Sequence, residues 1–418
     1  MSDKMSDKIV YVSTYTPRKC GIATFTQDLS QAVSKVSSFN SKIIALNDNG
    51  NNYTYSDEVL YQIRDKDVES YRQTARKINA DDNIKLVSIQ HEFKIFGCEH
   101  GENLLAFLKL VEKPVITTFH TVLPAPSLHR RNIVQEIAKY SEYLVVMSQS
   151  AVKILTEDYA LAENKVVIIP HGIHDLPYES SQVCKAKLGY QNKLVLSSFG
   201  LLRPGDSRNS SGKGYGYVLD SLPEVVKQFP NLLYLIIGTT HPKTLKLEGE
   251  RYRDYLKEKV KKLGLENNVQ FIDEFVSLTE LFEYLQASDI YVCSPLNKNQ
   301  VCSGTLVYAM GCGRAVVATP FLHAQDIVTA KTGILTEFRN SNSFTKAIVK
   351  LLSNPKLMEE MGKKAYADTR KMVWEKAALL YHDLFNQCIP LEISVAGRIN
   401  SEVKVPVRVY KILSKKER

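Results

Sequence analysis

The 418-residue chain predicts a doubly wound α/β fold in two Rossmann-like halves, on three observations. Short apolar runs alternate with amphipathic stretches through the first half. The alternation pauses over a polar stretch at 177–191, then restarts with the same rhythm. Small-residue loops rich in glycine follow several of the apolar runs, where open parallel sheets hold their ligands.

In the first half, strands are expected at 9–13, 42–46, 85–90, 114–119, 143–147 and 165–169, with helices at 27–35, 102–110 and 132–140. The strand patterns are apolar throughout rather than alternating, which predicts a parallel sheet buried on both faces. In the second half, strands are expected at 193–198, 232–237, 269–271, 289–293 and 315–319. Helices are expected at 217–229, 250–263, 278–287 and 305–311. The stretch 343–352 and one long helix at 355–386 close this half, and the hinge is placed near 180–192. No short-period repeat or low-complexity segment interrupts the pattern.

Composition fits this architecture. The length suits two domains with separate cores, and 44% hydrophobic with 24% charged residues is ordinary for globular protein. No apolar run approaches the roughly 20 residues that cross a bilayer. The first residues carry no apolar h-region, so no secretory signal is expected and the cytoplasm is the default. Seven cysteines (20, 98, 184, 293, 302, 312, 388) are scattered without metal-ligand spacing, predicting reduced thiols and no zinc site. The net charge of +9 includes lysines clustered at 257–262 and a basic end at 415–418. Solvated helix faces and a frayed tail explain these; attraction to an anionic ligand or to a membrane surface, as a peripheral contact, is the alternative. Nucleic acid is not an expected partner.

Three strand exits attract a functional reading. After the first strand comes Tyr15-Thr16-Pro17-Arg18-Lys19-Cys20-Gly21-Ile22, where Gly21 either admits a phosphate to the following N–H groups or serves only a tight turn. After the first strand of the second half comes Phe199-Gly200-Leu201-Leu202-Arg203-Pro204-Gly205, running on to Gly212-Lys213-Gly214. Arg203, Arg208 and Lys213 there form a diphosphate clamp or a solvated loop. The third is Gln300-Val301-Cys302-Ser303-Gly304-Thr305-Leu306-Val307-Tyr308, a small-residue loop entering a helix. Unpaired N–H groups and the positive helix end suit anionic oxygens there; a plain N-cap at Ser303 is the alternative. His120 leaves an apolar strand, Thr117-Thr118-Phe119, and either donates to a substrate hydroxyl or is a satisfied core histidine. Pro170-His171-Gly172 reads as a structural turn.

Together these stations resemble the retaining glycosyltransferases of the GT-B fold, glycosyltransferase family 4, over roughly residues 8–385. The resemblance rests on Gly21, His120, Pro170-His171-Gly172, Gly200 with Lys213-Gly214, the Ala309-Met310-Gly311-Cys312-Gly313 run, and Gly333 after Thr332. It implies two Rossmann-like domains facing each other across a cleft. Residues 1–180 would bind the acceptor and 193–355 the nucleotide-sugar, a helix at 356–390 would cross back to the first domain, and a basic tail of unknown role would follow at 391–418. It further implies that Lys213 and Arg203 neutralise a donor diphosphate. Amides around Cys302, Ser303, Gly304 and Thr305 would bind its distal phosphate. Gly21 and Ile22 would touch phosphates from the first domain, and His120, with Lys213 a catalytic residue, would sit beside the transferred sugar. The segment 269–275, with Phe271, would frame the base. Gly200, Gly238, Gln300, Val301 and Tyr308 complete the expected donor set. Gly238 begins a Gly-Thr-Thr-His-Pro run found, with a Ser-Gly-Thr-Leu loop, in a similar subgroup.

The chain departs from the family pattern in two places. Gln300 and Tyr308 stand where a Glu-x7-Glu pair is usual, and Tyr308 cannot accept two ribose hydrogen bonds as a carboxylate does. Leu201 stands where an arginine usually follows Gly200. The resemblance implies metal-independent, retaining transfer of a hexosyl group, from a GDP-mannose or UDP-glucose type donor to a hydroxyl acceptor (glycan, lipid-linked or small molecule). No cofactor is expected. A non-catalytic partner subunit that binds sugar nucleotide, or an epimerase or phosphorylase, are the rivals. Acceptor, donor base and oligomeric state carry no signature.

Overall fold

The computed structural model describes residues 7–48, 51, 53–205 and 212–390. The expected clamp residue Arg208 and the 391–418 tail lie outside them. The chain forms two compact units, one running up to Gly172 and resuming at Trp374, the other Ile173–Val373.

The first unit contains β1 (Lys8–Ser13), α1 (Gly21–Val36), β2 (Asn40–Asn47), β3 (Val59–Arg64), α2 (Val68–Asn79) and β4 (Ile84–His91). It continues with α3 (Leu104–Leu108), β5 (Val115–Phe119), α4 (Leu128–Tyr140), β6 (Tyr143–Val146), α5 (Gln149–Glu157) and β7 (Val166–Ile168). The strands form one parallel sheet in the order β3-β2-β1-β4-β5-β6-β7. Ile9, Val10, Tyr11 and Val12 are all fully buried, so β1 has apolar neighbours on both faces. Helix α1 starts at Gly21, ahead of the expected 27, because Cys20 Sγ accepts from Ala23 N and caps it. The edge strand β3 escapes the apolar pattern because most of its residues are partly exposed.

The second unit contains α6 (Ser181–Leu188), β8 (Leu194–Phe199), α7 (Tyr215–Gln228), β9 (Leu232–Ile237), α8 (Pro242–Glu248), α9 (Arg251–Lys262) and β10 (Val269–Ile272). It continues with α10 (Leu278–Ala287), β11 (Ile290–Cys293), α11 (Gly304–Gly311), β12 (Ala315–Ala318), α12 (Leu322–Ile327), β13 (Gly333–Leu335), α13 (Ser341–Leu352) and α14 (Pro355–Thr369). Its strands are also all parallel, in the order β10-β9-β8-β11-β12-β13. In each sheet the first strand of the unit pairs on one side with the second and on the other with the fourth. The strand order reverses there, at β1/β4 and at β8/β11, which opens a crevice beyond the carboxyl ends.

Two expectations are corrected. The helix expected at 355–386 is two helices, α14 and α15 (Trp374–Cys388), separated by a short 3₁₀ turn at Arg370–Met372 and an extended Val373. Ile173 N donates to Met372 O at 2.9 Å and bridges Val373, so the entering and leaving chains run side by side in the second unit. Helix α15 belongs to the first unit, where it packs along α1 and its Tyr381 OH pairs with Thr118 Oγ1 at 3.1 Å. The second correction concerns the hinge. The division falls at Gly172/Ile173, whereas 180–192 lies inside the second unit and forms α6, packed on α10.

Helix α6 reads as polar because one of its two buried residues is a lysine. Lys185 is fully buried, with Nζ 2.5 Å from Asp289 Oδ2. Asp289 also accepts from Val195 N and Ser181 Oγ, each at 2.7 Å, tying α6 and β8 to the start of β11. Among the described residues no helix is long and apolar enough to cross a membrane. Removing one member of the ion pair strands the other's charge in the core. Asp289→Ala is therefore expected to cost about 3–5 kcal/mol in urea unfolding, and a loss below about 1 kcal/mol would show that the pair does not anchor α6.

Candidate functional site

The reversal point of the second sheet gathers the densest set of expected site residues. Strands β8 and β11 end at Phe199 and Cys293, and a small cavity there is lined by Phe199, Lys213, Tyr291, Cys293, Ser294 and Thr305. Backbone geometry makes the approach possible. Gly238, at the exit of β9, has φ +131°, and a Cβ there would lie 2.5 Å from Gly200 O. Only glycine fits both the conformation and the space. The two exits then run in parallel, with Gly200 N on Ile237 O at 3.0 Å and Leu202 N on Thr239 O at 2.9 Å. Gly214 opens α7 in the left-handed region at φ +68°, where a Cβ would strike Ser294 O. Ser294 Oγ in turn donates to Lys213 O at 2.7 Å, which fixes the lysine backbone over the end of β11.

Lys213 is half-buried, and its aliphatic end and Nζ lie 3.5 and 3.6 Å from the place a Gly200 Cβ would occupy. Thr305 Cγ2 lies 3.7 Å from the same point, so lysine and helix start face one another. Among the described residues none gives Lys213 Nζ a hydrogen bond or an ion pair. Burial lowers its pKa; neighbouring Cys293 opposes the shift and the Arg203 cation adds to it. The Cys293 thiol is itself pushed up to about 11 by burial, so no thiolate neutralises the ammonium. A half-desolvated cation with no counterion among the described residues suits a bound negative charge.

The α11 entry supplies donors and also limits them. The Gly304 and Thr305 N–H groups have no acceptor among the described residues, as expected for the first turn of a helix. Ser303 behaves differently. Its Oγ caps Leu306 N at 3.4 Å, and its own N–H is committed to His323 Nδ1 at 2.9 Å. Of the amides expected to bind a distal phosphate, Ser303 is thus engaged within the protein. Cys302 is half-buried and Val301 buried, and Cys302 O accepts from Gln300 Nε2 at 2.8 Å. That bond spends one of the donors expected for sugar hydroxyls.

Other expected donor residues lie apart from this cavity or in packing roles. Tyr308 is buried, its ring stacked on Phe199 at 6.4 Å and edge-on to Phe282 and His174. Phe271, on the edge strand β10, packs against the core, with Lys257 Nζ 5.7 Å from its ring centre. Among the described residues no group of three or more His, Cys, Asp or Glu is placed to hold a metal ion.

In the first unit, Gly21 opens α1 into free space, with its Cβ position unobstructed, and Ile22 is half-buried. His120 follows β5 directly. It is 9% exposed, its Nε2 lies 3.1 Å from Gln90 Oε1, and its N–H donates to His91 O at 3.0 Å. The Phe25 ring stands edge-on to it at 4.6 Å, with His171 and Trp374 each 5.1 Å from Phe25. Burial, with smaller contributions from His171 and His91, pulls the His120 pKa down to about 3. The ring is neutral at physiological pH. His91, which the sequence pattern did not single out, is fully buried with neither ring nitrogen hydrogen-bonded among the described residues, and burial holds it near 3 as well.

These two histidines make an acid-sensitivity prediction. Their folded pKa lies below the unfolded value of about 6.5, so the unfolded state takes up protons first as pH falls. Their contribution is whole above pH 6.5 and drains away towards pH 3. Urea midpoints of the wild type should fall through that window, and His91→Leu should flatten the fall. An unchanged slope in His91→Leu would contradict the burial of a neutral ring.

Comparison with known proteins bears on this geometry. Residues 207–368, which span the Lys213 and α11 elements, match the family model for glycosyl transferases group 1. An uncharacterized glycosyltransferase of Methanocaldococcus jannaschii is 26% identical over 304 residues, covering 71% of this chain and 69% of that protein. Mannosylfructose-phosphate synthase of Agrobacterium fabrum is 26% identical over 198 residues, covering 46% of this chain and only 40% of its own length. Among solved structures, Anabaena HepE in complex with UDP superposes with a TM-score of 0.71 at 14% identity, over 91% of this chain and 99% of that one. The chain is thus similar to group 1 glycosyltransferases over 207–368, and its two parallel-sheet Rossmann-like units are those of the GT-B fold.

Proposed function

We propose that this protein is a retaining, metal-independent glycosyltransferase of family 4 that moves a hexosyl group from a nucleotide-diphosphate sugar to a hydroxyl acceptor. The observation that carries the reading is the Lys213 ammonium at the β8/β11 reversal, without an ion-pair partner among the described residues and close to the start of α11, where the Gly304 and Thr305 N–H groups are open. Cation and amides together suit a diphosphate, and the group 1 match over 207–368 supports it. A GDP-mannose or UDP-glucose type donor fits the relatives: one is named a mannosylfructose-phosphate synthase and one fold neighbour was solved with UDP.

The bond from the anomeric carbon to the diphosphate breaks, and its electron pair stays on the leaving oxygen. Lys213 and the two amides stabilise that growing charge, with Arg203 close enough to Lys213 to add to the field. The acceptor oxygen bonds to the anomeric carbon on the same face, and its proton passes to the departing phosphate. Neutral His120, oriented by Gln90, polarises a sugar hydroxyl.

A second reading has one observation in its favour. Gln300 is turned onto Cys302 O, and Tyr308 is packed among aromatic rings, so neither replaces a ribose-binding carboxylate directly. A non-catalytic subunit that binds sugar nucleotide would show this. Thermal shift against UDP, GDP, ADP and their sugars, followed by turnover with the best donor, separates the two: binding without turnover favours the subunit.

Lys213→Ala is expected to lower kcat/KM for the donor about 100-fold or more, the scale of losing one oxyanion contact, with the melting temperature retained. Unchanged kinetics would remove the diphosphate clamp. His120→Ala should reduce kcat more than nucleotide affinity; equal losses in both would make it a binding residue.

A further inference from the structure

The loop that leads into α11 is held by the start of α12. Leu322 N donates to Lys298 O and His323 N to Gln300 O, each at 3.0 Å, and the His323 ring then accepts from Ser303 N at 2.9 Å. The first turn of α12 thereby brackets 298–303. His323 is fully buried, so its ring reaches no solvent-borne ligand. Its hydrogen bond to Ser303 N acts on a ligand through the loop.

We infer that His323 is the positioning residue of this loop. By taking the Ser303 N–H it fixes the N-cap of α11 and leaves Gly304 and Thr305 as the amides turned to a phosphate. Three facts converge. An Nδ1 that accepts places the ring proton on Nε2, so the tautomer is set by the loop. Ser303 sits at φ −144° and ψ 98°, the extended conformation an N-cap needs, with its Oγ spent on Leu306 N. Losing the ring acceptor would strand a buried N–H, which backbone rotation about Ser303 would relieve at the expense of the Gly304 and Thr305 directions. The start of α11 lies close to Lys213, so the inference rests on the proposed diphosphate site.

The test compares His323→Phe, which fills the space without an acceptor, with His323→Asn, whose Oδ1 can replace Nδ1. Dissociation constants for UDP and GDP, donor KM, kcat and melting temperature are measured for each. His323→Phe should weaken nucleotide binding about five- to tenfold, the size of one net hydrogen bond. His323→Asn should stay within about twofold, and kcat at saturating donor should move less than KM. Equal melting-point losses in both variants with unchanged nucleotide affinity would overturn the inference and leave His323 a packing residue. If His323→Phe does not fold, the wild-type histidine nitrogen spectrum decides: a bare Nδ1 with slow exchange of the Ser303 amide supports the strut, and a protonated Nδ1 contradicts it. If the wild type binds neither nucleotide, the diphosphate reading fails, while the tautomer still judges the loop contact separately.

Discussion

An ammonium group held half out of water, with no counterion among the described residues, organises the second unit. Lys213 is brought there by backbone alone: the left-handed Gly214, its own carbonyl tied to Ser294 Oγ, and strand exits that touch because Gly238 has no side chain. A surface lysine in water would cost nothing to leave unpaired. At this position burial already presses its pKa down, and the nearby thiol is too weak an acid to answer the charge. The fold stores an electrostatic debt that a bound anion would cancel.

The same unit shows how a helix start becomes selective. All first-turn amides are available in principle, yet Ser303 serves internally through His323 and Leu306 is capped by the Ser303 hydroxyl. Among the described residues two neighbouring donors remain, close to Lys213. That is a narrower offer than the run of small residues suggests, and it sets phosphate geometry by subtraction.

Much of the architecture was legible because buried parallel strands leave continuous apolar runs, and each strand predicted in the first half lies on an observed one. What the pattern hid has identifiable physical causes. Edge strand β3 is half-solvated, β13 is only three residues long, and α6 hides its buried face behind Lys185, whose charge is met by Asp289. The break between α14 and α15 carries neither glycine nor proline; a backbone pairing of Ile173 with Met372 creates it. In the site, residue types pointed to Lys213 and the 300–308 loop. Hydrogen-bond assignments such as Ser303 to His323, twenty residues away, depend on tertiary approach and left no trace in spacing. The His91 ring nitrogens, without a hydrogen bond among the described residues, were equally invisible, since a histidine at a strand end looks alike whether satisfied or not.

The first unit carries a different kind of chemistry. Its histidines at the ends of β4 and β5 are neutral and enclosed by aromatic rings, suited to hydrogen bonding rather than to holding charge. Charge handling falls to the second unit, and one measurement addresses it most directly: a crystal structure with whichever of UDP, GDP or ADP most raises the melting temperature. Diphosphate oxygens within about 2.7–3.2 Å of Lys213 Nζ and of the Gly304 and Thr305 nitrogens are the expected result. A nucleotide seated elsewhere, with the Lys213 ammonium still unengaged, would contradict the account.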